Sequence, residues 1–166
     1  MFQLLRDAQP EAEIGCIYEW DGIKYVIDTL STSYQEMVPP SKIYTDEMAK
    51  MSVKYIKEKK PVLGAFIFDN PDHVGHDAGH DTPEYYANLK ELDEYIGQII
   101  QATKDAGIYE NCIFIVTSDH GGIDHGHGGK TLEEINTPFI IAGKGIKKDG
   151  EFQESMMQFD CAPTVL

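Results

Sequence analysis

The sequence predicts an α/β fold with a mostly parallel sheet flanked by helices. Three observations predict it. Apolar runs of strand length recur at residues 13–18, 62–68, 113–117 and 139–142. Helical patterns stand between them, over residues 45–59 and from Thr82 onward. The run at 62–68 is apolar without a break, as a strand covered on both faces of a parallel sheet requires. Strands alternating with helices in this way give a parallel sheet joined by helical crossovers.

Taken in order, residues 2–8 form a short helix that Pro10 ends, and residues 13–18 form the first strand. Residues 25–27 are a second short strand or a loop edge. Residues 28–40, rich in Ser, Thr and Pro, read as loop. The helix over 45–59 carries Asp46 and Glu47 in its first turn, and Lys57, Lys59 and Lys60 at its end, as the helix dipole favours. Met48, Met51, Tyr55 and Ile56 form its buried face, and Pro61 stops it. Thr82-Pro83-Glu84 combines an N-cap, a first-position proline and a first-turn acid. From there Tyr85, Leu89, Leu92, Ile96 and Ile99 fall on one apolar face. Gly107 suits the position beyond the C-terminus. Strands follow at 113–117 and, behind Thr137-Pro138, at 139–142.

A chain of 166 residues with 42% hydrophobic and 25% charged residues is enough for one domain with a core. A net charge of −14, from 28 acids against 14 bases, excludes nucleic-acid backbone as a bulk partner. A small anionic substrate stays compatible with that charge where bound cations make the field locally positive. Cys16, Cys112 and Cys161 sit apart among apolar neighbours with no C-x-x-C pair, and are expected to be buried free thiols. No apolar run approaches a membrane span, and no signal-peptide pattern opens the chain. The first residues already read as helix and residues 162–166 carry no helix stop signal. The expectation is a single α/β unit over 1–166, truncated at both ends.

The chemistry is concentrated. All 6 histidines lie in two segments, His73, His76 and His80 in one, His120, His125 and His127 in the other. Both segments follow strand runs, and in open α/β sheets sites form beyond the carboxyl ends of strands. Carboxylate and neutral imidazole together suit Zn²⁺ or a similar divalent ion. Asp72 and His76 are expected on a loop loosened by Gly75. Asp119 and His120 stand before a Gly121-Gly122 turn, and His127 stands among glycines on pliable backbone. These five groups, Asp72, His76, His127, Asp119 and His120, exceed one tetrahedral zinc and match two nearby ions. His73, His80 and His125 are supporting or solvent-exposed groups. Asp69, Asp77 and Asp124 either hold the free nitrogens of ligating histidines or are solvated loop acids.

The segment from Phe68 through Asn-Pro-Asp72 to His76 resembles the P-D-x-x-G-H motif of nucleotide pyrophosphatase/phosphodiesterases. Thr117-Ser-Asp-His-Gly-Gly122 resembles the S-D-H-G segment shared by the alkaline phosphatase superfamily. Gly126-His-Gly-Gly-Lys-Thr131 with the strand behind Asn136-Thr-Pro resembles the stretch that follows in phosphodiesterase-like and sulfatase-like members. The resemblance covers roughly residues 62–166. It implies an alkaline-phosphatase-like fold and a two-metal hydrolase of phosphate or sulfate esters, of periplasmic or extracellular setting. By match, Asp72, His76 and His127 hold one zinc, and Asp119 and His120 hold part of the other. The family's nucleophilic Thr or Ser, and a further Asp, are expected upstream of Met1, so no catalytic nucleophile is assigned within the chain. This makes the chain the C-terminal part of a larger catalytic domain. Ser31, Thr32 and Ser33, the early hydroxyl cluster, read as loop. Lys130 is either a contact to the anionic group or a solvated loop lysine. The reading is a phosphodiesterase or nucleotide pyrophosphatase. The alternatives are a sulfatase or phosphomonoesterase of the same superfamily, a phosphate-transferring mutase, and a metal-binding fragment without catalysis of its own.

Overall fold

The computed structural model describes residues 1–38, 44–148, 150–151 and 154–165, without the side chains of residues 44 and 45. Helix α1, Phe2–Ala8, is tied through Arg6 to the chain that leads into the first strand. The Arg6 guanidinium donates to the carbonyls of Pro10 (2.6 Å) and Ala12 (2.8 Å) and to Ser33 Oγ (2.8 Å). Strand β1, Ile14–Tyr18, follows and is buried along its whole length. Residues 25–27 form no strand; a 3-10 turn over Asp21–Tyr25 stands there instead. Tyr25 and Val26 are exposed, so this short apolar run has no face to bury.

The reading of 28–40 as loop misses strand β2, Tyr34–Met37; residues 39 and 40 lie outside the described residues. Tyr34-Gln-Glu-Met has no apolar run. It is specified by its ladder to β1, Gly15 against Tyr34 through Tyr18 against Met37, rather than by hydrophobicity. Helix α2, Tyr44–Lys59, and strand β3, Leu63–Ile67, complete a sheet of order β2-β1-β3, parallel throughout. The long run at 62–68 was expected to be covered on both faces. As the edge of this sheet β3 is only partly covered, and the fully buried strand is the central β1.

Helix α2 buries Met48, Ala49, Ser52, Tyr55 and Ile56, a stripe at four- and three-residue steps. The hydroxyls of its buried residues are both paired: Ser52 Oγ donates to the Met48 carbonyl at 2.8 Å and the Tyr55 hydroxyl to Glu13 Oε1 at 3.0 Å. Met48 and Tyr55 pack on Ile17 and Val38, and the Tyr55 ring stacks on Tyr34 at 4.8 Å. On its other side α2 meets helix α4, Pro83–Asp105, where Ile56 joins Ile99, Ala102 and Ala106. Helix α4 starts as its cap predicts: Thr82 Oγ1 accepts from the Tyr85 N–H at 3.3 Å. It ends before Gly107, whose φ of 72° is the left-handed conformation expected beyond a helix. Its buried face runs through Asn88 and Leu92, and Leu89, expected on it, is exposed.

Strand β4, Ile113–Thr117, pairs antiparallel with β5, Phe139–Gly143, in a separate two-stranded sheet. Among the three thiols, Cys16 is buried while Cys112 and Cys161 are partly exposed, and all are free. Burial pushes the Cys16 thiol up to about 12, which keeps it protonated and inert.

Because β1 and β3 are parallel and in register, their carboxyl ends reach the same edge. Glu19 and Asp69 therefore stand side by side there, and Asp69 N–H donates to Glu19 Oε2 at 2.7 Å. The core predicts a graded response. Ile17→Ala, at a fully buried position, should cost about 2–5 kcal/mol. Val62→Ala, at an exposed one, should change stability by about 0.5 kcal/mol or less. Equal denaturation midpoints for the two variants would contradict this placement of the core.

Candidate metal centre

The His/Asp segment after β3 is not a loop. It forms helix α3, Asp72–Ala78. On a helix, residues four apart share a face. This is why Asp72 and His76 converge, with His76 Nε2 3.2 Å from Asp72 Oδ2. His127 comes from the loop after β4 and sets its Nε2 3.6 Å from Asp72 Oδ1. One ligand atom each from Asp72, His76 and His127 lies within 4.8 Å of the others. An ion with tetrahedral bonds of about 2.0–2.2 Å sets its ligand atoms about 3.3–3.6 Å apart. The two separations, 3.2 Å and 3.6 Å to the two oxygens of the Asp72 carboxylate, lie close to that spacing.

The histidine tautomers follow from their partners. His76 Nδ1 lies 2.9 Å from the His125 carbonyl oxygen, which can only accept, so Nδ1 carries the proton. The neutral ring then has a bare Nε2, and that is the nitrogen facing Asp72. His125 returns the bond, donating from Nδ1 to the His76 carbonyl at 3.1 Å. His120 Nδ1 likewise donates to the Gly121 carbonyl at 2.8 Å. The hydrogen bond to His125, and then the charge of Asp72, raise the His76 pKa above the usual histidine value. Asp72 Oδ1 is buried without a hydrogen-bond partner. A buried carboxylate oxygen without a partner, 3.6 Å from His127 Nε2, on a carboxylate that also faces the bare Nε2 of His76, fits a cation.

The expected second ligand pair is half assembled. The His120 ring stacks on His127 with centroids 3.7 Å apart, which brings it to the edge of the cluster. Asp119 projects outward, 87% exposed, with His120 Nε2 3.7 Å from its carboxylate. Gln158 donates to the backbone carbonyls of Ser118 and Asp119 and fixes this turn. Lys130 lies exposed in the loop between His127 and the short helix α5, Leu132–Ile135. Of the supporting groups, exposed His73 pairs with Asp77 at 3.5 Å, whereas His80 is buried. The Ser31, Thr32 and Ser33 hydroxyls are spent on backbone carbonyls. Ser31 Oγ donates to Asp28 O, Thr32 Oγ1 to Thr29 O and Ser33 Oγ to Ala12 O.

Two residues escaped the sequence reading. Glu134 binds the Gly129 N–H (2.7 Å) and Thr131 Oγ1 (2.8 Å), and so holds the loop that carries His127. The Thr131 side chain, and then the Gly129 N–H, keep its carboxyl below the usual range. Thr131-x-x-Glu134 is a capping-box pattern and was legible. Glu19 is the other. It follows the apolar run of β1 and is 91% buried, with Oε1 lacking a hydrogen-bond partner. No local pattern marks it, because its role comes from the neighbouring strand. Burial pushes its carboxyl up to about 7, against the opposing hydrogen bond from the Asp69 N–H. Burial likewise raises the Asp69 carboxyl.

The family described as type I phosphodiesterase / nucleotide pyrophosphatase matches residues 20–154. Human ectonucleotide pyrophosphatase/phosphodiesterase family member 5 is 29% identical over 103 residues, 61% of this chain and 21% of that protein. Bovine bis(5'-adenosyl)-triphosphatase ENPP4 is 30% identical over 104 residues, 61% of this chain and 23% of that protein. The structure of an inactive threonine-to-alanine variant of murine ectonucleotide pyrophosphatase/phosphodiesterase 5, in complex with AMP, superposes with a TM-score of 0.52. It is 25% identical, and the match covers 70% of this chain and 31% of that one. The matched stretch thus spans only about a fifth to a third of these relatives.

Glu19 makes a pH prediction. Its carboxyl rises from 4.5 to about 7 on folding, so between these values the native state binds more protons than the unfolded one. Stability contributed by this group is complete below about pH 4.5 and is lost as pH rises through about 7. Glu19→Gln should flatten that decline, read as denaturation midpoints across the window. An unchanged slope would show that Glu19 does not carry it.

Proposed function

The chain belongs to the type I phosphodiesterase / nucleotide pyrophosphatase family, and from that premise we propose that it carries metal ligands of a phosphoric-ester hydrolase. The observation that supports this most is the convergence of Asp72, His76 and His127 within 4.8 Å at one sheet edge. In this reading those three hold one divalent ion, probed most simply as zinc. Asp119 and His120 hold part of a second. When bound, such ions supply Lewis-acid charge that lowers the pKa of an attacking hydroxyl and offsets charge on phosphoryl oxygens. The chain's own residues do the positioning. Nδ1–H bonds fix the His76 and His120 rings with Nε2 free. Glu134 holds the loop of His127, and Lys130 on that loop meets the anionic group of the substrate.

The substrate class is a small phosphate ester, a nucleotide pyrophosphate or phosphodiester first. The triphosphatase name of the bovine relative and the AMP bound to the murine one support it over a sulfate ester. The attacking hydroxyl and the third ligand of the second ion come from sequence outside residues 1–166, which form one unit of a larger catalytic domain. Two facts support this: the murine relative is inactive as a threonine-to-alanine variant, and the hydroxyls of residues 31–33 are engaged by backbone carbonyls. The setting is extracellular or periplasmic, supported by the relatives' ectoenzyme names.

Two outcomes test the proposal. Elemental analysis of protein purified without chelator should find bound divalent metal, lost in Asp72→Ala and His76→Ala; equal metal in all three contradicts the assignment. The 166-residue chain alone should hydrolyse aryl phosphate mono- and diesters no faster than a metal-stripped control. Groups that position the attacking atom are worth about 7–11 kcal/mol of barrier, and they lie elsewhere. Metal-dependent turnover abolished by His120→Ala would reveal a nucleophile within this chain.

A further inference from the structure

We propose that His80 is a positioning residue whose buried ring locks helix α3 to the 119–127 loop and so sets the spacing of Asp72, His76 and His127. This rests on the metal-centre reading above.

His80 differs from its neighbours in burial. Its side chain is 7% exposed, against 44% for His76 and 51% for His73. It is not among the three groups whose ligand atoms cluster. Yet it touches every element that builds the cluster. Its Nδ1 lies 3.1 Å from the Asp124 carbonyl oxygen, and its backbone N–H donates to the same oxygen at 2.6 Å. Its ring lies tilted against Tyr85 in the first turn of α4, with centroids 5.3 Å apart. Its faces fill the space that two side chains would need. A Cβ at Gly75, inside α3, would come within 2.5 Å of the ring, and one at Gly122, in the loop, within 2.1 Å. Glycine at both positions is therefore what lets helix and loop close over this imidazole.

The ring also backs the ligand carboxylate. Since the Asp124 carbonyl accepts, Nδ1 carries a proton and Nε2 points the other way. Nε2 stands 4.0 Å from Asp72 Oδ1, the buried oxygen without a hydrogen-bond partner. That is too long for a hydrogen bond, so His80 acts here by packing and orientation. Its importance follows from what else joins the two segments. The reciprocal His76–His125 bonds are exposed, and water competes for them. The His80–Asp124 bond is exposed as well, but the ring itself is 7% exposed, and its packing against Gly75 and Gly122 joins helix and loop without a polar bond that water could replace. A ligand set spaced to a few tenths of an ångström needs a fixed support, and losing supports of this kind costs about 10–100-fold in metal affinity.

Zinc affinity, measured by competition with a chromophoric chelator, and the visible spectrum of the Co²⁺-loaded protein test this. Both are read on wild type, His80→Ala, His80→Asn, Gly122→Ala, His76→Ala and His73→Ala, with secondary structure followed by circular dichroism. His80→Ala and Gly122→Ala, which removes or displaces the ring, should bind zinc about 10–100-fold more weakly with folding intact, and shift the Co²⁺ bands. His80→Asn keeps a donor for the Asp124 carbonyl and should recover most of the affinity. His73→Ala should match wild type. Wild-type affinity in His80→Ala while His76→Ala loses zinc would overturn the inference and leave the metal centre standing. Wild-type affinity in His76→Ala would overturn both. Should His80→Ala fail to fold, Gly122→Ala decides: wild-type affinity there sinks the proposal.

Discussion

Two histidines exchanging hydrogen bonds with each other's backbone carbonyls join the halves of this site. His76 lies on a seven-residue helix and His125 on a glycine-rich loop after another strand, 49 positions later. The buried His80 ring packs between the same two segments, and Glu134 holds the loop beyond. The exchange does two things at once. It ties helix to loop, and it puts the proton of His76 on Nδ1 so that Nε2 is left bare toward Asp72. A carbonyl cannot donate, so the tautomer is a consequence of the fold rather than a choice of the ring. The metal-binding chemistry proposed for the chain depends on that single electrostatic fact.

The sheet supplies the other constraint. A parallel pair in register brings the carboxyl ends of β1 and β3 together, and both ends carry acids. Glu19 and Asp69 meet there, with Asp72 one turn further on. Acid beside acid, partly buried, destabilises a folded chain unless something positive answers it. Glu19 and Asp69 respond with raised pKa values, and Asp72 keeps an oxygen without a partner. Strain gathers at this sheet edge, where Glu19, Asn70 and Asp72 each keep a buried oxygen without a partner, and such gathering distinguishes a binding site from a surface. A divalent cation would relieve it, and the overall charge of −14 favours its approach.

Much of this was legible in the sequence, and the failures have physical causes. Helices α1, α2 and α4 were plain because caps, prolines and periodic apolar residues agree within each segment. Strand β2 was not, since Tyr34–Met37 owes its conformation to a ladder with β1 and not to its own pattern. The same limit hid Glu19. The two histidine clusters pointed to five groups, of which Asp72, His76 and His127 have ligand atoms within 4.8 Å of one another and Asp119 projects outward. The clusters were not enough to show that Asp72 and His76 share a helix face, because Gly75 between them reads as loop. The buried His80 explains Gly75: the glycine is there for the ring, not for a turn.

A crystal grown with zinc, and its anomalous difference map at the zinc edge, would test the metal centre most directly. The expected result is a peak about 2.0–2.2 Å from an Asp72 carboxylate oxygen and from Nε2 of both His76 and His127. His76 Nδ1 should still face the His125 carbonyl. A peak bound through His76 Nδ1, or zinc placed away from these three residues, would contradict it.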